Sequence, residues 1–402
     1  MTMDREQYAV GSERFGRVSR RGLLRAGGLG LTGAGAALLV GCGNEDKPGT
    51  DAAGAKRPTA SSVPGAVGPT GTPVPLDPPE VTQITFSRPA STTCIAPIYL
   101  AREFLLEEGF TSIKYRSQTN ISEINVQVAD GRVDMTFSFA GPIAVQIDAG
   151  DQVVALAGGN VGCFELVARE GIRTVRDLRG KKIAINQASP LSADYAFLAN
   201  LLQFIGISPK DVTMVPKVNF ELFDAMKNGE VDAILALAPL GEHLRNYKVG
   251  HTILNTATDR PWSQYYCCLV AANRQFMEKN PIATKRALRA ILRGLDLCAR
   301  EPERAARYLV DNYYTNSYDY ALATMKMLGY GVWRQYNPEE TLRFYSLQLR
   351  TAGLIKSTPD QIMAKGTDWR FYNELKREMP MAFAPSSSRF GLDCAIGPAE
   401  RA

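Results

Sequence analysis

Histidine is nearly absent from this chain: 402 residues include only His243 and His251. Two imidazoles are too few for a histidine-rich metal centre or a relay of imidazole acid–base groups. The seven cysteines contain no Cys-x-x-Cys pair and no dense framework, so their spacing points to neither a disulfide scaffold nor a metal motif. Most of Cys94, Cys163, Cys267, Cys268, Cys298 and Cys394 read as small buried apolar residues. Cys267 and Cys268 are adjacent and in a strand would face opposite ways. A large charge of one sign is also missing. The net charge is +5, and residues 1–41 hold six arginines against three acidic residues, so about two positive charges remain beyond them. That is too weak and dispersed for a nucleic-acid partner. The apolar run Ala26–Val40 has 15 residues, rich in glycine and alanine. As a helix it would rise about 22 Å, short of a roughly 30 Å bilayer core, so a spanning helix is not expected.

That run belongs to a secretion signal. Ser19-Arg20-Arg21-Gly22-Leu23-Leu24-Arg25 is a twin-arginine stretch, and the apolar run ends in Leu39-Val40-Gly41-Cys42. The ending resembles the lipobox of bacterial lipoproteins. The resemblance implies cleavage before Cys42 and lipid on its thiol and new amino group. Several acyl chains would anchor the protein firmly, at about 0.8 kcal/mol per buried methylene. The expectation is an extracytoplasmic protein, lipid-anchored to the cell membrane. Ordinary signals also carry adjacent arginines, so the export route stays open. Residues 42–80 then read as the lipidated cysteine and a tether rich in Gly, Pro, Ala, Thr and Ser, unable to bury enough surface to fold.

From Val81 onward about 320 residues remain, enough for two lobes with real cores. Strand-like and helix-like segments alternate. Val81–Ser87 alternates apolar and polar residues. A helix near Pro97–Glu108 is closed by Gly109. Strands at Ile113–Arg116, Val133–Phe137 and Val153–Ala157 frame helices at Ile121–Ala129 and Pro142–Ala149. Lys182–Asn186 is a further strand, and Ser189-Pro190 reads as N-cap and first residue of a helix closed by Gly206. Tyr265–Ala271 is strand-like. Beyond it the chain is nearly all helix, with Asn280-Pro281, Asn337-Pro338 and Thr358-Pro359 as N-cap and Pro pairs. Lys285, Arg286, Arg289 and Arg293 share one helix and read as a solvated face. The pattern is α/β.

A repeat sharpens this reading. Ala129-Asp130-Gly131-Arg132-Val133-Asp134-Met135-Thr136-Phe137 resembles Lys227-Asn228-Gly229-Glu230-Val231-Asp232-Ala233-Ile234-Leu235. In both, a helix ends at Gly, a Val-Asp pair opens an apolar strand, and a proline follows (Pro142, Pro239), placed for the next helix's first turn. Two copies about a hundred residues apart point to two related lobes. The expected divisions are 81–170 for the first part of lobe 1 and 171–260 for lobe 2. Residues 261–380 would return to lobe 1 and form the C-terminal helices, and 381–402 a tail.

Gly131–Asp134 with Ser138–Pro142, Asp177–Ala184 followed by Asn186–Ser189, Gly229–Asp232 with Ala238-Pro239, and the Pro302–Leu309 helix together resemble the solute-binding proteins of nitrate/sulfonate/taurine-type ABC importers. The resemblance covers residues 83–375. It implies a two-lobe type II periplasmic-binding-protein clamp with a helical C-terminal part. It also implies a small organic solute and an ABC permease with its ATPase as partners; a monomer is expected, and the scarcity of histidine, the missing metal spacing and the lack of a nucleophile–base motif point to no catalysis, cofactor or metal. In open α/β sheets ligands bind beyond the carboxyl ends of strands, at helix N-termini that favour anions. The candidate ligand residues are therefore Arg88, Thr93, Asn120, Ser138, Phe139, Asn160, Gln187, Ser189, Ser192, Pro239 and Tyr265. Arg88 can pair directly with an anionic head, or it is a surface loop arginine. Phe139, Phe164, Tyr195, Trp262, Tyr265 and Tyr266 form either an apolar ligand wall or core. The solute expected is a sulfonate, taurine-like compound, carboxylate or pyrimidine, with one polar or anionic head. Three alternatives stay open: a binding protein for a thiamin pyrimidine precursor, a receptor docking on a sensor protein, and an enzyme like the fungal thiamin-pyrimidine synthases of the same fold. Those synthases depend on iron, a histidine and a cysteine-rich motif. Tyr266-Cys267-Cys268 offers only two cysteines, and neither histidine falls in the first lobe's loops.

Overall fold

The computed structural model describes residues 77–379 except 90–92 and 119–121. The signal, Cys42, nearly all of the tether, Asn120 and the tail lie outside the described residues. Among the described residues ten strands are present: β1 Gln83–Pro89, β2 Ser112–Gln118, β3 Met135–Phe139, β4 Val153–Gly158, β5 Phe164–Ala168, β6 Lys182–Ile185, β7 Thr213–Pro216, β8 Ala233–Leu237, β9 His251–Asn255 and β10 Cys268–Asn273. They form two five-stranded sheets, ordered β2-β1-β3-β10-β4 and β7-β6-β8-β5-β9. The sheets share one plan. Parallel pairs β1–β2 and β1–β3 correspond to β6–β7 and β6–β8. The fourth strand of each runs antiparallel to both neighbours.

That fourth strand enters each sheet directly after a crossover. β5 follows β4, and its pairing with β8 and β9 puts it in the second sheet. The sequence reading kept 164–168 with the first lobe. An all-apolar or buried strand has no alternation to tell which sheet it joins.

The repeat is structural as well as sequential. Gly131 and Gly229 both take left-handed φ values, +77° and +75°, which only glycine adopts freely. Asp134 then accepts the Thr85 N–H with its carboxylate at 2.7 Å, and Asp232 accepts the Lys182 N–H at 2.9 Å. Each aspartate thus fixes β3 to β1, or β8 to β6, at the matching register.

Residues on β5, β6 and β8 split by face, as a two-residue period requires. Leu166, Ile183, Ile185 and Leu235 join the large core that also contains the first sheet and the C-terminal helices. Val167, Ala184, Ile234 and Ala236 face a smaller core with Leu222, Phe223, Met226 and Leu244.

The described residues beyond β10 are largely helical, and the three Pro starts fall where expected, at Pro281–Arg300, Pro338–Thr351 and Pro359–Gly366. Asn337 accepts the Glu339 N–H at 2.9 Å, and Thr358 accepts the Gln361 N–H at 3.2 Å. The long helix Pro281–Arg300 lies so close to the helix Ala96–Glu107 that a Cβ at Gly294 would collide with the Pro97 carbonyl. Its basic residues are not a solvated face. Arg289 pairs with Glu108 at 2.8 Å and Glu378 at 3.0 Å, Arg286 donates to the Glu108 carbonyl at 2.7 Å, and Lys285 and Arg293 pair with Glu378 and Glu107, each at 2.6 Å. Glu108 and Arg286 are buried. The acidic partners come from two other helices, so helical spacing alone could not show them. Among the described residues no helix is long and apolar enough to cross a membrane.

Candidate functional site

The carboxyl ends of β3 and β8 converge on the two crossovers. Ala140, opening the helix after β3, donates its N–H to the Cys267 carbonyl at 2.9 Å. Ala238, after β8, donates to the Cys163 carbonyl at 2.9 Å. The Asn160 carbonyl accepts the Cys267 and Cys268 N–H groups at 2.8 and 3.3 Å. Cys268 in turn pairs across the ladder with Phe139. Asn160 and Phe139 therefore stand side by side where the two sheets meet.

A polar seam runs from there. Ser138 donates to the Asn125 side-chain carbonyl at 2.8 Å, and the Asn125 amide donates to the Leu191 carbonyl at 3.1 Å. Ser122 donates to the Gln187 side-chain carbonyl at 2.7 Å, and the Ser192 hydroxyl lies 2.9 Å from the Gln187 main-chain carbonyl. Ser122, Asn125 and Ser138 belong to the first sheet's side, whereas Gln187–Ser192 follows β6 in the second. Phe139, Phe164 and Phe197 stack alongside, with ring centroids 5.3 and 4.8 Å apart. Ser138, Phe139, Asn160, Gln187, Ser189 and Ser192 are thus brought into one neighbourhood.

The helix after this loop does not begin at Ser189-Pro190. It spans Ala193–Phe204, and its N-cap is Ser192. The cause is Asp194, which the sequence reading missed. Its carboxylate accepts the N–H groups of Asn186 and Gln187 and, on the other oxygen, the Ser192 hydroxyl and the Tyr195 N–H. These bonds coil 186–192 into turns closed by Ser189 N–H to Gln187 and Ser192 N–H to Ser189. The spacing Ser-x-Asp at 192–194 was the available signal. Burial raises the Asp194 pKa, and its four hydrogen bonds oppose that rise. A carboxylate already occupies this helix end, so the dipole there does not favour an anionic ligand as expected.

Other expected residues lie elsewhere. Arg88 donates to the Tyr313 carbonyl at 3.0 Å and sits 5.0 Å over the Tyr314 ring. Thr93 is buried against Thr324 at 3.0 Å. Tyr265 stacks on Phe344 at 4.2 Å, in a group with Trp262 and Phe204. Tyr266 is buried, its hydroxyl within hydrogen-bond distance of the carbonyls of Val332, Trp333 and Tyr336. The aromatic set thus divides between a stack at the seam and packing under the C-terminal helices. Pro239 is half-buried and precedes the helix Leu240–Asn246 as its N-cap, not its first residue. Asn120 lies outside the described residues. His243 meets Tyr320 at 2.8 Å and His251 meets the Ile172 carbonyl at 2.8 Å, both outside the seam.

Three cysteines that spacing left unconnected meet beside Asn160. The sulfurs of Cys94, Cys163 and Cys268 all lie within 4.8 Å of one another, and all three residues are buried. Cys163 and Cys268 are 3.7 Å apart at sulfur, and the Asn160 amide donates to Cys163 at 3.1 Å. Burial opposes ionisation of Cys163, but the neighbouring thiols and Asn160 donate to its sulfur and bring its pKa well below the ordinary thiol value. The proton is correspondingly held by Cys94, through its bond to Cys163, and by Cys268, through burial. These residues are buried as expected, but they form a polar group and not merely apolar filling.

Residues 92–305 match the family model described as NMT1/THI5 like. The chain belongs to the NMT1/THI5-like family. Among curated proteins, this family member is similar to a binding protein of Brucella abortus strain 2308. The two are 26% identical over 183 residues, 45% of this chain and 56% of that protein. The match thus spans little more than half of that relative's length. The fold is that of the periplasmic nitrate-binding protein NrtA from Synechocystis PCC 6803, with a TM-score of 0.64 at 15% identity over 75% of this chain and 90% of the other. The alkanesulfonate-binding protein SsuA from Xanthomonas axonopodis pv. citri gives 0.56 at 14% identity, over 69% and 96%. At such identities the likeness carries the fold alone. This NMT1/THI5-like chain has the type II periplasmic-binding-protein fold, two mixed five-stranded sheets with a helical C-terminal region.

Proposed function

We propose that this chain is an extracytoplasmic solute-binding lipoprotein of an ABC importer, holding a small organic solute between its sheets for delivery to a permease. The observation that carries this reading is the polar seam joining Ser138 and Asn125 to the 187–192 loop across the ends of β3 and β6. Ligands of open α/β sheets bind at such carboxyl ends. The similar proteins named for nitrate and alkanesulfonate binding are consistent with it.

The chemistry of the seam favours one solute class over the others. Its side chains are hydroxyls, amides and a buried carboxylate, beside a stack of three phenylalanines. Arg88 is engaged with Tyr313 and Tyr314. A flat solute with hydrogen-bonding edges, of the pyrimidine kind, suits this set better than a sulfonate or an inorganic anion.

A thermal-shift screen of sulfonates, carboxylates, aromatic acids and pyrimidines on the purified chain tests it. At 100 times its dissociation constant a cognate solute stabilises by about 2.7 kcal/mol. Stabilisation by a pyrimidine and not by sulfonates is expected; the reverse overturns the solute class. The bound solute should return chemically unchanged, and turnover seen by mass spectrometry with excess solute overturns the transport reading. The anchor is tested separately: Cys42→Ser should abolish lipid labelling and release the protein from membranes.

A further inference from the structure

We propose that Cys94, Cys163 and Cys268 form a three-sulfur site for copper(I). The three residues come from segments far apart in the chain. Cys94 lies in the short turn of helix after β1, Cys163 on the first crossover, and Cys268 at the start of β10 on the second. No local pairing of strands requires thiols at all three places, yet their sulfurs converge within 4.8 Å.

The geometry fits one central ion. A first-row metal sits about 2.3 Å from a thiolate sulfur, which places the sulfurs of a trigonal site about 4 Å apart. Cys163 and Cys268 are 3.7 Å apart, and neither other pair exceeds 4.8 Å. A disulfide would use only two of the three and leave the third buried beside it.

Ligand type and number select the metal. Thiolates favour copper(I), zinc and iron–sulfur clusters. Structural zinc is almost always four-coordinate. Among the described residues the mutually close group contains three ligand atoms and no more. Cys267, also buried, is not part of that group. As copper(I) binds, each sulfur that is still protonated gives its proton to solvent, so the three thiolates and the ion together carry a net charge of −2. No electron changes hands.

A second observation points to the same place. Asn160, wholly buried, donates its amide to Cys163 at 3.1 Å, but its side-chain oxygen lies buried with no hydrogen-bond partner. A buried polar atom without a partner carries a desolvation cost. The bond from its amide would steady the Cys163 thiolate once an ion is bound. The ion would tie both crossovers to the first loop, independently of what solute the seam holds.

The test is anaerobic titration of the reduced full chain carrying Cys42→Ser and Cys394→Ser with copper(I) held in a chromogenic chelator. Native mass spectrometry and X-ray absorption report stoichiometry and neighbours. One copper per chain with three sulfur neighbours is expected. It should be lost in Cys163→Ala and in Cys94→Ala, and kept in Cys298→Ala, whose thiol is buried elsewhere. Circular dichroism and melting curves check that each variant folds. Should either alanine variant fail to fold, a copper-dependent rise in melting temperature of the parent, absent with zinc, carries the same decision. No copper bound, copper retained in both alanine variants, preference for zinc, or a Cys163–Cys268 disulfide in the protein purified without reductant each overturns the proposal.

Discussion

Ser122 donates its hydroxyl to the Gln187 side-chain carbonyl across 2.7 Å, joining a loop of the first sheet to a loop of the second. Its partner across the seam is the Asn125 amide bonded to the Leu191 carbonyl. The two sheets are therefore held together by a few neutral hydrogen bonds at this edge, each worth about 1 kcal/mol net.

A double-mutant cycle measures the first of them. Ser122→Ala and Gln187→Ala should each lower the unfolding free energy by about 1 kcal/mol. The double variant should cost less than the sum, with a coupling of about 0.5–1.5 kcal/mol. Urea denaturation of the four proteins checks this, and strict additivity would show that the bond contributes nothing.

The start of the helix at 193 moves an expected cost from one serine to another. Ser192→Ala removes the N-cap and should destabilise by about 1 kcal/mol or somewhat more. Ser189→Ala removes only a turn contact, from Leu191 N–H at 3.3 Å, and should leave the urea midpoint almost unchanged. Equal losses in the two variants would contradict the cap assignment.

Asp194 gives a pH dependence whose sign is fixed by burial. Its native pKa is raised, so the folded chain holds this proton more tightly than the unfolded chain does. The resulting stability is present below about pH 3.9, the ordinary aspartate value, and is lost as pH rises through the native pKa. Asp194→Asn should remove that part of the slope. It should also destabilise at every pH by about 1–3 kcal/mol, because an NH2 group then faces N–H or O–H donors. Melting temperatures from about pH 4 upward in both proteins decide it; an unchanged slope in the variant would assign the effect to another group.

Glu108 tests the basic helix. Its side chain is 7% exposed and Arg289's is 14%, so Glu108→Ala leaves a guanidinium short of its partner in a largely dry place. The expected loss is about 3 kcal/mol. Glu103→Ala, which breaks the Arg304 pair at 52% and 54% exposure, should shift the denaturation midpoint by no more than experimental error. Comparable shifts in the two variants would restore the reading of a solvated face.

Most of the fold was legible because its signals are local. Glycines at 131 and 229, the Val-Asp pairs after them and the Asn-Pro and Thr-Pro starts each act within a few residues; all three prolines open their helices, and Asn337 and Thr358 cap as expected, whereas Asn280 donates back to the Phe276 carbonyl instead. What escaped depends on groups brought from afar or on competition within a turn. Asp194 outbids Pro190 for the helix start by collecting four hydrogen bonds, which no propensity for proline at a first turn reveals. Arg88 is open, from sequence, between pairing with an anionic head and sitting on a surface loop; residues 313–314, more than two hundred positions away, engage it. Cys94, Cys163 and Cys268 are separated by 69 and 105 positions, so chain spacing shows no motif among them and gives no sign of their convergence. Asn160, Ser138 and Gln187 were picked out by their places at strand ends, and the structure gathers them.

The insertion of β10 between β3 and β4 governs the order in which a growing chain can become structured. Among the described residues β4 has β10 as its only strand neighbour, and β10 leaves the ribosome more than a hundred residues later. A nascent chain ending near residue 260 has every strand of the second sheet but cannot close the first. The later-made half should therefore fold earlier. The amino-terminal segment must wait with an apolar strand edge uncovered, a state that favours capture by chaperones or pairing with another chain.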